Sequence, residues 1–305
     1  MKKLIAAFTM AGVATLGAQT ATAADFEPQA AIQQLVVSGV VESWSGYTFY
    51  SDVDVDSDPD PDDSFFSHYS GRLSLPLGES LSGQMDVDVE INTSLLLESS
   101  DADTSNMEHA FQGIFHLSSR DPNTGLIGAF GGAGQGAGDA NGEYPFYVIG
   151  GEAQLYLQDF TLYAQGGYFD TTSESTHDDD GMKDSIFGRG VVRWFLDENT
   201  RLQGEVSYAD GTVDSNDDGN VVEWAVRYDT VLEGLPLIGD TGVFVGYRGA
   251  RFENEDENDE FTDHTVMVGF RHAFGGSTMK EIDRVGATLD APTIGRWVGA
   301  GNIID

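Results

Sequence analysis

The chain has 305 residues, 40% of them hydrophobic, no cysteine, and 51 acidic against 15 basic residues, for a formal net charge of −36. Such a charge repels nucleic acid and disfavours a compact soluble domain through self-repulsion. We therefore expect no nucleic-acid partner, and we expect the acidic residues to be spread out in the folded protein.

The first 24 residues have the pattern of a secretory signal peptide. Lys2 and Lys3 precede an apolar run at residues 4–16, and small residues at 21–23 precede Asp25. This order of basic, apolar and small residues is typical of a signal that is removed on export. The apolar run is too short for a spanning helix. Removal of the two lysines takes the formal charge from −36 to −38.

Between residues 36 and 274, short segments alternate between apolar and polar side chains. In residues 84–91, Met85, Val87, Val89 and Ile91 share one face, and a glutamine and three acids share the other. Alternation over about ten residues is typical of a tilted strand with one face in lipid. The pattern predicts twelve strands, with ten or fourteen as alternatives, at residues 36–50, 65–76, 82–97, 107–118, 125–133, 145–157, 160–170, 185–196, 200–210, 220–230, 241–252 and 264–274.

The connections between these strands are of two kinds. Compact turns are predicted at residues 77–81, 119–124, 158–159, 197–199 and 231–240. Acidic loops are predicted at residues 52–63, 101–103, 170–184, 210–218 and 253–263, together with a glycine-rich loop at 134–144. In bacterial outer-membrane barrels the turns face the periplasm and the loops face outside. We therefore predict an all-β fold over residues 25–274, a transmembrane antiparallel up-and-down β-barrel of about twelve strands.

The chain resembles the Gram-negative outer-membrane β-barrels, and porin-like barrels in particular. The resemblance rests on the signal peptide, the alternating strands and the segment HTVMVGFRHAF. That segment ends at Phe274 and looks like the closing strand that barrel-assembly machinery recognises by a terminal aromatic. The resemblance implies a multi-pass barrel in the outer membrane, in contact with lipid and lipopolysaccharide, and it leaves an oligomer possible because many porins are trimers.

The chain departs from this family by continuing beyond Phe274. Residues 275–305 are predicted to be a C-terminal periplasmic tail. Its apolar residues show no long periodic run, so three destinations stay open. The tail hangs in the periplasm, folds back as a small plug, or touches peptidoglycan.

If the apolar face of each strand meets lipid, the other face lines the lumen. The charged residues predicted to line the lumen or its constriction are Arg72, Asp86, Asp88, Glu90, Glu152, Arg189, Arg193, Glu205, Glu223, Arg227, Arg248 and Arg271. A basic side chain on the lipid face costs about 2–4 kcal/mol at mid-bilayer, so the scarcity of Lys and Arg there supports this register. Twelve strands lie between small barrels filled by side chains and large barrels with water channels.

Two functions follow from this lumen. Arginines facing acids, an arrangement known in porins, favour a channel for passive diffusion of small hydrophilic solutes or ions. Alternatively, the arginines pair with the acids, and a filled lumen makes the protein a structural or adhesive barrel with acidic surface loops.

Enzymatic and metal-binding functions have weaker support in the sequence. The six histidines are scattered and none forms a zinc-ligand spacing, so we expect no enzyme and no cofactor. Asp214, Asn216, Asp218 and Gly219 match the start of a calcium loop, but Ala225 stands where the bidentate glutamate belongs. We expect only weak binding of Ca²⁺ or Mg²⁺ by the acidic loops.

Overall fold

The computed structural model describes residues 35–54, 63–94, 107–138, 142–172, 182–213, 217–235, 239–256 and 259–301. Within these ranges, twelve strands form a closed antiparallel barrel, in which each strand pairs with its neighbours in sequence and the last pairs with the first. The predicted fold class and strand number are confirmed. The signal peptide lies outside the described residues.

The elements follow the predicted order. The strands are β1 (Ser38–Asp54), β2 (Ser64–Pro76), β3 (Leu81–Asn92), β4 (Met107–Asp121), β5 (Gly125–Gly138), β6 (Gly142–Tyr156), β7 (Phe160–Thr171), β8 (Lys183–Asp197), β9 (Thr200–Val213), β10 (Asp217–Leu235), β11 (Gly239–Asn254) and β12 (Asp259–Phe274). Two short helices follow, α1 (Met279–Val285) and α2 (Ile294–Gly301). No helix in the described ranges is long and apolar enough to cross a membrane.

The strand register separates an apolar outer face from a polar inner face. Outward side chains such as Val41, Met85 and Phe115 are more than half exposed. Their inward neighbours in the same strands, among them Glu42 and Asp86, are buried. Since each strand has a side-chain period of two, the alternation read from the sequence becomes an apolar outer wall around a charged interior.

Aromatic pairs lie on the outer wall near both ends of the barrel. Near the loop end, the ring centroids of Tyr47 and Phe65 are 5.1 Å apart. Near the turn end, the Phe160 and Trp194 rings stack with their centroids 5.8 Å apart. Aromatic belts at the two interfaces are typical of barrels that span a membrane.

Strands at the loop end are longer than predicted. The acidic segments 210–218 and 253–263, predicted as loops, are largely paired strand, since Val213 pairs with Asp217 and Asn254 with Asp259. Strands that extend beyond the membrane into water can pair without an apolar face. The acidic composition of these two segments therefore gave no sign that they form strands. Residues 55–62, 95–106, 173–181, 214–216 and 257–258 lie outside the described residues.

The glycine-rich segment 134–144, also predicted as a loop, is mostly strand. β5 continues to Gly138 and β6 begins at Gly142. Glycine in a strand often marks a place where another backbone approaches closely. Here Gly136 lies against α2, and a Cβ at this position would be 2.7 Å from the amide nitrogen of Gly299.

The segment after β12 turns back into the barrel. Gly275 has a φ of +90°, a left-handed conformation that glycine adopts readily, and it redirects the chain away from the wall. We call residues 275–301 the luminal tail. Its path runs from α1 at the turn end, through an extended stretch at residues 286–293, to α2 against β4–β6. Of the three predicted destinations, the plug is the one observed, and the assignment of residues 275–305 to a periplasmic tail is corrected for the luminal tail.

Candidate functional site

The structure places all twelve predicted lumen residues on the inner face of the barrel wall. Several are brought into contact, as the filled-lumen alternative requires. Arg248 donates to both carboxylate oxygens of Glu90, at 2.7 and 3.0 Å. Arg189 donates to both oxygens of Glu205, at 2.6 and 2.7 Å. Asp88 lies 3.4 Å from the ring of His68.

The remaining members of the predicted set contact groups that the sequence analysis did not select. Asp86 and Glu152 lie on either side of the buried His116, at 3.7 and 3.0 Å. Arg193 and Glu223 contact the luminal tail, and Arg72, Arg227 and Arg271 all face Glu42.

Polar side chains of the wall satisfy the backbone of the tail. In its extended stretch the tail has no strand partner, and buried carbonyl groups need donors. Gln84 donates to the Leu289 carbonyl at 2.6 Å, and Gln112 donates to the Pro292 carbonyl at 2.8 Å. Arg120 donates to the Gly286 carbonyl at 2.6 Å. These inward side chains replace the missing strand ladder and hold the tail in one position.

Two acids of the tail bind the arginines of β8. Arg193 contacts Asp283 at 2.8 Å and Asp290 at 3.1 Å, and Arg189 contacts Asp290 at 3.0 Å. Burial alone raises the pKa of Asp290, but the attraction of Arg189 and Arg193 outweighs it and holds that pKa well below the usual value. Burial also raises the pKa of Asp283, but the attraction of Arg193 and the hydrogen bond from the Thr161 hydroxyl outweigh it, so that pKa is lowered. Both carboxyls therefore stay ionised in the docked tail.

α2 is fixed in the lumen by one arginine and one tryptophan. Arg296 contacts Glu223 at 2.6 Å and also contacts Asp263, so one guanidinium serves two buried carboxylates. Trp297 is fully buried and donates to Glu223 at 3.2 Å. Its ring lies between aromatic side chains of the wall, with centroids 6.0 Å from Phe169 and 5.9 Å from Phe187.

A group of charged residues near the turn end has more arginines than acids. We call it the arginine-rich cluster, and it consists of Glu42, Arg72, Arg201, Arg227, Asp229 and Arg271. Arg227 bridges the two acids, at 2.6 Å from each. Arg201 contacts Asp229 at 3.2 Å, and Arg72 contacts Glu42. Four guanidinium groups of this cluster therefore share two directly contacting carboxylates, and Asp86, Asp88 and Asp290 are further acids near Arg72.

Two cavities lie beside the tail, and members of the arginine-rich cluster line both of them. The central cavity, of about 170 Å³, is lined by Glu42, His68, Arg72, Asp88, Ala225 and Arg227 among others. The turn-side cavity, of about 200 Å³, is lined by Asn199, Val231, Arg271, Ser277, Thr278 and Ile282 among others. Arg72 and Arg227 therefore face the first cavity, and Arg271 faces the second.

Sequence reasoning missed Glu42, His116, Arg120, Arg201, Asp229 and Asp263 on the wall. Each lies an even number of residues from other inward-facing residues of its strand. The alternation of side chains along a strand would therefore have been enough to identify them as inward-facing. The tail residues Asp283, Asp290 and Arg296 had no such signal, because nothing periodic places a non-strand segment inside a barrel.

No group of three or more metal-ligating side chains occurs in the part of the chain that the structure describes. Asp214 and Asn216, which belong to the calcium-like run, lie outside that part. Weak divalent-ion binding by the acidic loops stays a prediction.

The closed barrel, its apolar outer wall and its charged lumen define an outer-membrane type of β-barrel. No family model matches the chain, and no curated protein sequence matches it. Among solved structures, the COG4313 outer membrane channel from Pseudomonas putida F1 is similar at 12% identity, with a TM-score of 0.50 over 83% of this chain and 100% of that one. The KdgM porin is similar at 8% identity, with a TM-score of 0.41 over 75% of this chain and 98% of that one. The likeness to the first structure is one of fold, and it confirms the predicted resemblance at that level.

Proposed function

We propose that this protein is a narrow outer-membrane channel for passive diffusion of small hydrophilic solutes or ions. The observation that carries the proposal is the pair of cavities beside the tail, because charged or polar side chains line both and both are lined by members of the arginine-rich cluster. Arginine side chains have several rotatable bonds, so small movements of Arg227 and Arg271 would join the cavities without breaking a strand pair.

The outer wall supports the proposed location. Exposed apolar side chains cover it, and such a surface is stable in hydrocarbon but not in water. We propose outer-membrane lipid and lipopolysaccharide as its surroundings, and insertion by barrel-assembly machinery after export. The signal-like first 24 residues agree with this route.

A second candidate is a closed structural barrel. The observation that favours it is the luminal tail, whose side chains form buried ion pairs with β8 and β10. In this case the acidic loop end, rather than the lumen, performs the function.

Conductance combined with cysteine accessibility separates the two candidates. The chain has no cysteine, so a single one reports on one position. Ala225 lines the central cavity, whereas Ala129 is exposed on the outer wall. If solutes pass beside the tail, a charged thiol reagent will reduce the conductance of the refolded Ala225→Cys protein in a planar bilayer.

The matched Ala129→Cys variant should conduct normally before and after the same reagent. If folded, inserted wild-type protein shows no open steps, the channel proposal is rejected and the closed barrel is favoured. If the reagent reduces conductance equally in both variants, the proposed path is wrong.

A further inference from the structure

The turn end of the lumen is rich in arginine. In the arginine-rich cluster four guanidinium groups contact two carboxylates, and Arg120 and Arg284 donate to backbone carbonyl groups in the same region. Toward the loop end the ratio is reversed, since the single guanidinium of Arg296 forms ion pairs with two carboxylates, Glu223 and Asp263. A buried excess charge is costly unless a counter-charge is near, so the turn end favours an anion.

Arg271 is the member of the cluster that is available to such an anion. Its side chain is 7% exposed, and its ion pair with Glu42 is long, at 3.6 Å. Glu42 already accepts hydrogen bonds from Arg72 and Arg227. The nearby Arg201 also has a buried Nε without a hydrogen-bond partner among the described residues. These guanidinium groups have donors to spare.

The turn-side cavity offers room and further donors next to Arg271. The cavity has a volume of about 200 Å³ and is lined by residues of both the wall and the luminal tail. Ser277 of the tail and Asn199 of the turn between β8 and β9 also line it, whereas the Thr278 hydroxyl already caps α1 and donates to Glu198. Guanidinium groups bind planar and tetrahedral oxyanions through paired N–H donors, and hydroxyl groups add further hydrogen bonds.

We propose that the turn-side cavity binds a small oxyanion, a phosphate or a short carboxylate, through the guanidinium of Arg271. This site deepens the proposed channel function, on which it rests for its role in solute passage. A bound anion would contact the barrel wall and the tail together, next to Arg271 of the arginine-rich cluster. Binding itself does not require conduction.

The test is a calorimetric titration of the refolded full chain in detergent with inorganic phosphate, and separately with succinate. We expect saturable binding of at least one of the two anions. Arg271→Gln should weaken that binding at least roughly tenfold, the usual effect of losing a charge-assisted hydrogen bond. Arg271→Lys keeps the charge but loses the paired donors, so its affinity for the anion should lie between those of the wild type and Arg271→Gln.

Two further variants test whether binding depends on Arg271 and on the turn-side cavity. Arg251→Gln removes the same charge from an exposed site at the loop end and should bind as wild type does. Ala273→Met fills the turn-side cavity without changing any charge, and it should abolish binding. Glu42 keeps two arginine partners in Arg271→Gln, and heat-modifiable electrophoretic mobility verifies its folding.

Each outcome bears on the site separately from the channel. Absence of saturable binding by either anion, or equal binding by Arg271→Gln and Arg251→Gln, overturns the site even if the protein conducts. Binding that Arg271→Gln and Ala273→Met both weaken supports the site even if bilayer recordings are silent.

Discussion

Removal of the Arg296 guanidinium should release α2 from the lumen. Arg296 holds two carboxylates, Glu223 and Asp263, which are only 2% and 5% exposed. In the variant Arg296→Met both acids remain buried without their cation. Loss of one partner from a buried ion pair costs about 3–5 kcal/mol. That cost equals or exceeds the roughly 3 kcal/mol gained by burying one large apolar side chain such as Trp297.

The expected change in the docking equilibrium is therefore large. A free-energy loss of about 3–5 kcal/mol corresponds to roughly two to almost four powers of ten, since about 1.4 kcal/mol is a factor of ten. Limited chymotrypsin digestion measures the result, because Trp297 lies in α2 and is buried while that helix is docked. We expect rapid cleavage there in Arg296→Met, and a higher bilayer conductance.

A compensated variant separates charge from packing. Arg296→Met combined with Glu223→Gln and Asp263→Asn leaves no unpaired charge, and protease protection should return. Arg251→Met, which breaks an exposed pair with Glu260, should change neither measurement. The reasoning is refuted if Arg296→Met keeps full protection, or if the compensated variant is as sensitive as the single one.

Two other perturbations of the tail have distinct expected results. Gly136→Ala places a Cβ against the backbone of Gly299, so it should expose the tail to trypsin while the barrel keeps its heat-modifiable mobility. Gly190→Ala has open space at its Cβ, so it should leave both the protection of the tail and the mobility of the barrel unchanged. Asp283 and Asp290 have lowered pKa values, so their contribution to docking is complete above the ordinary carboxyl pKa of about 4 and is lost as pH falls through the docked values. An acid-resistant protease should therefore find the tail protected at neutral pH and cleavable only well below pH about 4, and exposure at milder acidity would contradict this assignment.

The barrel wall was predictable because one physical rule decides it. Side chains alternate between lipid and lumen, so Asp86, Asp88 and Glu90 indicate the inner face of β3 and the same parity extends along the strand. The ends of the strands were not predictable in the same way. Beyond the membrane both faces meet water, and the pattern that distinguishes strand from loop disappears.

The luminal tail shows a different limit of sequence reasoning. Gln84 and Leu289 are separated by 205 positions and meet only in the closed barrel. No local periodicity encodes such a contact, because the tail is neither a long helix nor a strand of the sheet. Even so, inward glutamines on β3 and β4 were a chemical indication, since amide side chains suit an irregular backbone better than they suit an ion-pair lattice.

The left-handed Gly275 connects the last strand to the tail at the turn end, and this has a consequence for the order of folding. The tail is made after the twelve strands, and its partners on β3, β8, β10 and β12 come together only when the wall has curved around them. Contacts between residues so distant in sequence form late. Docking of the tail is then a step that follows closure of the barrel. Undocking of the tail breaks no strand pair, so it would leave an open lumen inside a barrel that retains all twelve strands.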